Sequence, residues 1–165
     1  MATVEHRGTS VHTVGDLPAV GSPLPAFTLT GADLEEVGPD VASGRRLVLN
    51  IFPSIDTRTC ALSVRRFNEL AAGLGDTLVL CVSADLPYAQ ARFCGAEGIA
   101  NVLTGSSFRS TFGHDYGVTL IDGRMRGLLS RAVVVADASG TILYTEQVPS
   151  ISQEPDYDSA LAALG

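Results

Sequence analysis

The sequence predicts an α/β domain with a mixed central sheet flanked by helices and an N-terminal β-hairpin. Two apolar runs, RRLVLNIFP and LVLCVSA, bracket a segment with helical periodicity, the pattern of a strand–helix–strand unit with parallel strands. Farther along, RAVVVADASGTILYTEQV sets two β-branched or alternating runs on either side of a D-A-S-G turn, as an antiparallel hairpin does. Parallel and antiparallel pairs in one chain of 165 residues imply one mixed-sheet domain, 1–165, long enough to bury a core without staples.

Residues 1–25 are rich in Gly, Pro and Val and include the alternating stretch TSVHTV, which predicts a hairpin extension laid on the main sheet. FTLT reads as a short strand, and the polar, Gly-containing run to Gly44 as a strand-and-loop connection. Leu47–Phe52 is apolar apart from one Asn, as expected of a central strand covered on both faces. In SIDTRTCALSVRRFNELAAGLG, residues Val64, Phe67, Leu70, Ala71 and Leu74 recur at helical spacing, and Gly73 and Gly75 supply the stop. Leu78–Ala84 is a second buried strand, which a right-handed crossover makes parallel to the first. Pro87 opens a second helix running through Tyr88, Phe93 and Cys94 and ending near Gly95 or Gly98. A third apolar stretch around Val102 and Leu103 leads into SSFRSTFGHDYGV, read as a short helix with Gly105–Ser107 at its start, and a Gly-containing loop then reaches Leu129. After the late hairpin, DYDSALAALG closes the chain as an amphipathic helix. This order of elements fits the thioredoxin-like fold.

With 18 acidic against 11 basic residues, and no basic stripe to track phosphates, nucleic acid is not an expected partner. The apolar runs are far too short to span a bilayer, so no membrane association is expected. Glu5, His6 and Arg7 stand where a signal peptide carries its apolar core, which makes a cytoplasmic address the expectation. His6, His12 and His114 are scattered and no C-x-x-C or H-x-x-x-H pair begins a zinc site, so neither metal nor cofactor is expected.

Three cysteines are too few, and odd in number, for a secreted disulfide framework, so each is read separately. Cys60 falls in the first turn of the first long helix, where unpaired N–H groups and the helix dipole favour a thiolate, the nucleophilic form. Position alone leaves a second reading open, in which Cys60 is a small buried hydrophobe. Cys81, inside LVLCVSA, reads as core packing.

Pro53, Thr57 and Cys60 stand in the order P-x-x-x-T-x-x-C between a buried strand and a helix, and in this the chain resembles the peroxiredoxins. The continuation CALSVRRFN and the segment RAVVVAD, opened by Arg131, resemble more narrowly the thiol peroxidase branch, the atypical two-cysteine peroxiredoxins. The resemblance implies that Cys60 is the peroxidatic cysteine, Thr57 supplies a hydroxyl, Pro53 shields the pocket and Arg131 provides a guanidinium. Each residue type suits its role. A hydroxyl can accept or donate beside sulfur and a peroxide oxygen, although Thr57 can equally cap the helix, as can Asp56. Proline ends a strand without offering a competing N–H. An arginine cannot lose its proton and presents a fork of donors to developing negative charge.

Cys94 lies 34 positions after Cys60, where this branch carries its resolving cysteine. The resemblance therefore implies a Cys60 sulfenic acid, a Cys60–Cys94 disulfide reopened by thioredoxin, hydrogen peroxide and organic hydroperoxides as substrates, and a homodimer. Cysteines on separate helices join only if their Cα atoms come within roughly 7 Å, so local unwinding near Gly95 and Gly98 is expected. One departure stands out: where peroxiredoxins usually read T-P-V-C, this chain reads T-R-T-C, with Arg58 and Thr59. The competing readings are a thioredoxin-fold thiol–disulfide oxidoreductase, with Cys60-Ala61-Leu62-Ser63 as a degenerate C-x-x-C, and a thioredoxin-like binding module with structural thiols.

Overall fold

The computed structural model describes residues 1–165. At the N-terminus, β1 (Thr3–His6) pairs antiparallel with β2 (Thr9–His12), and Arg7 and Gly8 between them both have positive φ, 52° and 81°, as a tight type I′ hairpin turn requires. The strands β3 (Leu29–Gly31) and β4 (Glu36–Val37) then form a short antiparallel pair, followed by a 3₁₀ turn at Pro39–Ala42. The central unit is β5 (Arg46–Ile51), α1 (Arg58–Ala71), β6 (Thr77–Ser83), α2 (Pro87–Glu97) and β7 (Leu103–Ser106). A single helical turn, α3 (Phe112–Asp115), precedes the hairpin β8 (Ala132–Ala136) and β9 (Ile142–Gln147), and α4 (Tyr157–Ala162) ends the fold.

Seven strands form one sheet in the order β4-β3-β7-β6-β5-β8-β9, with β5, β6 and β7 mutually parallel and the remaining pairs antiparallel. The mixed thioredoxin-like sheet flanked by helices is thus the architecture. Side-chain alternation along the central strands divides the core in two. Leu47, Leu49, Ile51, Leu80, Val82 and Val134 face one side with Phe27, Phe112 and Tyr116. Val48, Val79, Cys81, Val133 and Val135 face the other, covered by Cys60, Val64 and Phe67 of α1, Phe93 of α2 and Ala160 of α4.

Two expectations need correction. The N-terminal hairpin occupies only residues 3–12 and does not join the main sheet; Val4 and Val11 dock it in a small separate core with Leu120 and Ile151. Gly105 and Ser106 belong to β7 and not to a helix start. A Cβ on Gly105 would lie 2.8 Å from Leu29 Cδ1, so glycine here lets β3 approach β7.

Candidate active site

The loop after β5 is fastened before α1 begins. Phe52 N–H donates to Val82 O at 3.1 Å, and the buried Pro53 follows with no N–H to satisfy. The carboxylate of Asp85, just beyond β6, then accepts from Ile55 N at 2.6 Å and from Ser54 Oγ at 2.8 Å, and it also accepts from Ser83 Oγ of β6 at 2.6 Å. Asp85 was not among the residues the sequence singled out: it lies 30 positions from Ile55, and no local periodicity links an Asp after one strand to the loop after another.

Thr57 is the N-cap of α1, with extended backbone angles of −87° and 147°. Its Oγ1 accepts from Cys60 N–H at 3.3 Å and donates to Ser54 O at 3.2 Å, so Thr57, and not Asp56, caps the helix. Asp56 is exposed and pairs with Arg92 at 3.5 Å. Cys60 is fully buried, and Ser63, at the place a second cysteine would occupy in a C-x-x-C site, donates its hydroxyl to Cys60 O at 2.8 Å.

Sheet register delivers Arg131. Ile51 at the end of β5 pairs with Ala132 at the start of β8, which brings the preceding Arg131 to the edge of the sheet from which the Pro53–Thr57 loop departs. Arg131 is 1% exposed, and its Nη2 stands 3.2 Å from Cys60 Sγ. Nε and Nη2 also donate to Ile151 O, at 3.1 and 2.9 Å. No carboxylate pairs with this buried guanidinium, and Nη1 has no partner. Helix start, hydroxyl, guanidinium and sulfur thus meet within one buried site, suited to holding negative charge on sulfur or on an oxygen bound to it.

Cys94 lies on the other helix, α2, half-buried, with its thiol held above the ordinary range by burial. It faces the edge of the core cluster containing Cys60 and also lines an open groove of about 450 Å³ with Ala91, Ile99 and Val41. All three cysteines are free thiols. Cys81 is sealed within β6, where burial pushes its thiol up to about 12 despite a 3.6 Å contact from Asn50 Nδ2. Of the two unusual residues, Arg58 is exposed and makes neither hydrogen bond nor ion pair, whereas Thr59 Oγ1 donates to Ser152 O at 3.3 Å. No cluster of three or more His, Cys, Asp or Glu side chains forms a metal site, and no helix is long and apolar enough to cross a membrane.

Similarity to known proteins gives the family. The family model described as Redoxin matches residues 19–161. A curated thiol peroxidase from Mycobacterium tuberculosis is 61% identical over 165 residues, covering 100% of this chain and 99% of its own. One from Corynebacterium glutamicum is 54% identical over 164 residues, covering 99% of both chains. The solved structure of a peroxiredoxin-like protein from Aquifex aeolicus superposes with a TM-score of 0.92 at 38% identity, covering 97% of this chain and 94% of that one. The chain belongs to the Redoxin family, within its thiol peroxidase branch, and is a peroxiredoxin-type, thiol-dependent peroxidase.

Proposed function

We propose that the chain reduces hydrogen peroxide and organic hydroperoxides with Cys60 as nucleophile and Cys94 as resolving thiol. The observation that carries this reading is the buried Arg131 Nη2 at 3.2 Å from Cys60 Sγ, in a site where no carboxylate competes for the guanidinium. The Cys60 thiolate attacks one peroxide oxygen, the O–O bond breaks, and the second oxygen leaves as alkoxide or hydroxide and takes up a proton. Arg131 Nη1, a buried donor without a partner, is available to that departing oxygen. Thr57 Oγ1 has its proton committed to Ser54 O and one lone pair to Cys60 N–H, which leaves a lone pair for the hydroperoxide O–H. Pro53 closes the pocket without a competing donor.

Cys94 then displaces the hydroxyl of the Cys60 sulfenic acid, releasing water and forming the disulfide. Because the two cysteines lie on different helices, closure requires α2 to unwind near its C-terminal end. The helix is suited to that: only Pro87, Gln90 and Phe93 of its eleven residues are buried, and it ends at Gly98 with φ of 66°. A thioredoxin-type dithiol reopens the disulfide, and a homodimer of single-domain chains in the cytoplasm completes the reading; these follow from the family.

The experiment is intact mass and peptide mapping after one equivalent of an organic hydroperoxide, on wild type, Cys60→Ser and Cys94→Ser. Wild type is expected to lose two hydrogens and link Cys60 to Cys94, Cys94→Ser to gain one oxygen on Cys60, and Cys60→Ser to stay unmodified. A link through Cys81, or an unreacted Cys60, overturns the assignment.

A further inference from the structure

The guanidinium of Arg131 is only as well placed as the oxygen that orients it. Two of its donors converge on Ile151 O, which fixes the plane of the group and the nitrogen that faces Cys60 Sγ. Ile151 belongs to no regular element; it lies in the connection between β9 and α4. Its position comes from the N-terminal hairpin. Glu5 N–H donates to Pro149 O at 2.8 Å, and Ile151 N–H donates to Glu5 O at 2.9 Å. Ser150 Oγ donates to the Glu5 carboxylate at 2.8 Å, and the other carboxylate oxygen accepts from Gly8 N–H at the hairpin tip. The Ile151 side chain is buried with Val4, Val11 and Leu120. On its far side the same segment meets α1, through Thr59 Oγ1 and Ser152 O, one residue before Cys60.

We propose that the N-terminal hairpin, through Glu5, positions the Ile151 carbonyl and thereby the Arg131 guanidinium against Cys60, so that Glu5 is a positioning residue for the peroxidase reaction. This rests on the reading of Cys60 and Arg131 given above. It gives the hairpin, which stays outside the main sheet, a part in the chemistry: together with Thr59 of α1 it fastens the irregular segment between β9 and α4. The Gly8 N–H, and after it the Ser150 hydroxyl, hold the Glu5 carboxyl below its ordinary range, so it is ionised at neutral pH and a strong acceptor for both.

The test compares Glu5→Ala, Glu5→Gln and Ser150→Ala with Asp122→Ala, which cuts another tether of the hairpin, the Asp122 carboxylate's bonds to the His12 ring and His12 N–H at 2.6 and 2.8 Å, without touching residues 149–152. Two quantities are read: the second-order rate of Cys60 oxidation by hydrogen peroxide, and the pH–rate profile of Cys60 alkylation by iodoacetamide followed by peptide mapping. Glu5→Ala is expected to slow oxidation about tenfold and displace the profile to higher pH, because small misplacements of a catalytic group are costly. Ser150→Ala moves both in the same direction by less, Glu5→Gln, which keeps one of the two acceptor oxygens, falls between Glu5→Ala and wild type, and Asp122→Ala leaves the profile in place. A wild-type rate and profile in Glu5→Ala overturns the proposal, as does an equal loss in Asp122→Ala, which would mark general loosening. Should Glu5→Ala fail to fold, Ser150→Ala decides: displacement supports the proposal and an unmoved profile overturns it. Arg131→Lys is run alongside. A wild-type profile there removes the underlying reading of Arg131, whereas an impaired Arg131→Lys with an unaffected Glu5→Ala removes only the role of the hairpin.

Discussion

The Arg131 guanidinium is buried with a thiol and a backbone oxygen as its hydrogen-bond partners. A buried guanidinium without a carboxylate is costly unless negative charge forms nearby, and under the proposed cycle that charge forms on the oxygen leaving Cys60. Arg131→Met keeps much of the buried volume and removes the charge. Oxidation of Cys60 is expected to slow by about 10²–10³-fold with the far-ultraviolet circular dichroism spectrum retained, checked by stopped-flow kinetics. Thr57 makes a separable contribution. Thr57→Val removes the cap and is expected to lower stability by about 1 kcal/mol in denaturant titration and to slow oxidation as well, whereas Thr57→Ser preserves both. An unchanged oxidation rate in Thr57→Val would confine Thr57 to capping. The string around Cys60 made the loop and the helix start legible in the sequence, with the cap left between Asp56 and Thr57, because those residues lie within eight positions of one another. Arg131 was legible only by resemblance. Its burial and its contact with a sulfur 71 positions away are products of sheet register, which local pattern does not encode.

Among the elements, α2 is the one that the proposed cycle requires to be both ordered and easily opened. Its face toward the sheet is thin, and Gly95 sits in its last turns with no atom within 4 Å of where a Cβ would be. Gly95→Ala therefore adds helix propensity at no steric cost, worth about 1 kcal/mol, roughly fivefold in an opening equilibrium. Under the proposed cycle, disulfide closure after Cys60 oxidation is expected to slow by about that factor, and sulfinic acid at Cys60 to accumulate under excess peroxide, both read by time-resolved intact mass. Unchanged closure would mean that α2 opening does not limit the step. The ends of α2 were legible because Pro87 and Gly98 punctuate them. The start of α3 was not: Gly-Ser-Ser resembles a helix entry, yet the pairing of β7 with both β3 and β6 claims Gly105 and Ser106 as strand. The early hairpin was legible from alternation, while its docking on residues 149–151 depends on partners about 145 positions away.

Across the whole molecule, stability depends on a sheet buried on both faces, and Cys81 puts a titratable thiol inside it. Cys81 lies in a strand whose seven residues are all buried, and desolvation raises it from 9.0 to about 12, only partly offset by the Asn50 amide. Below about pH 9 the thiol is protonated in folded and unfolded chains alike and its burial costs nothing in protons. Between about 9 and 12 the unfolded chain releases this proton and the native one keeps it, so stability falls as pH rises through that window. Cys94, Tyr116 and Tyr157 are also raised, chiefly by burial, and act in the same direction, so the contribution of Cys81 has to be isolated by difference. Cys81→Ala leaves a small cavity that lowers stability at every pH, so the pH dependence, and not the absolute value, carries the information. Urea unfolding under reducing conditions at about pH 8 and about pH 10.5 is expected to show wild type losing about 2 kcal/mol more than Cys81→Ala between the two, at about 1.4 kcal/mol per pH unit of full proton difference. Parallel losses in the two proteins would mean that the interior of the sheet admits the thiolate. In that event Cys81 would become a third reactive thiol beside Cys60 and Cys94, and alkylation of the folded protein at high pH would label it.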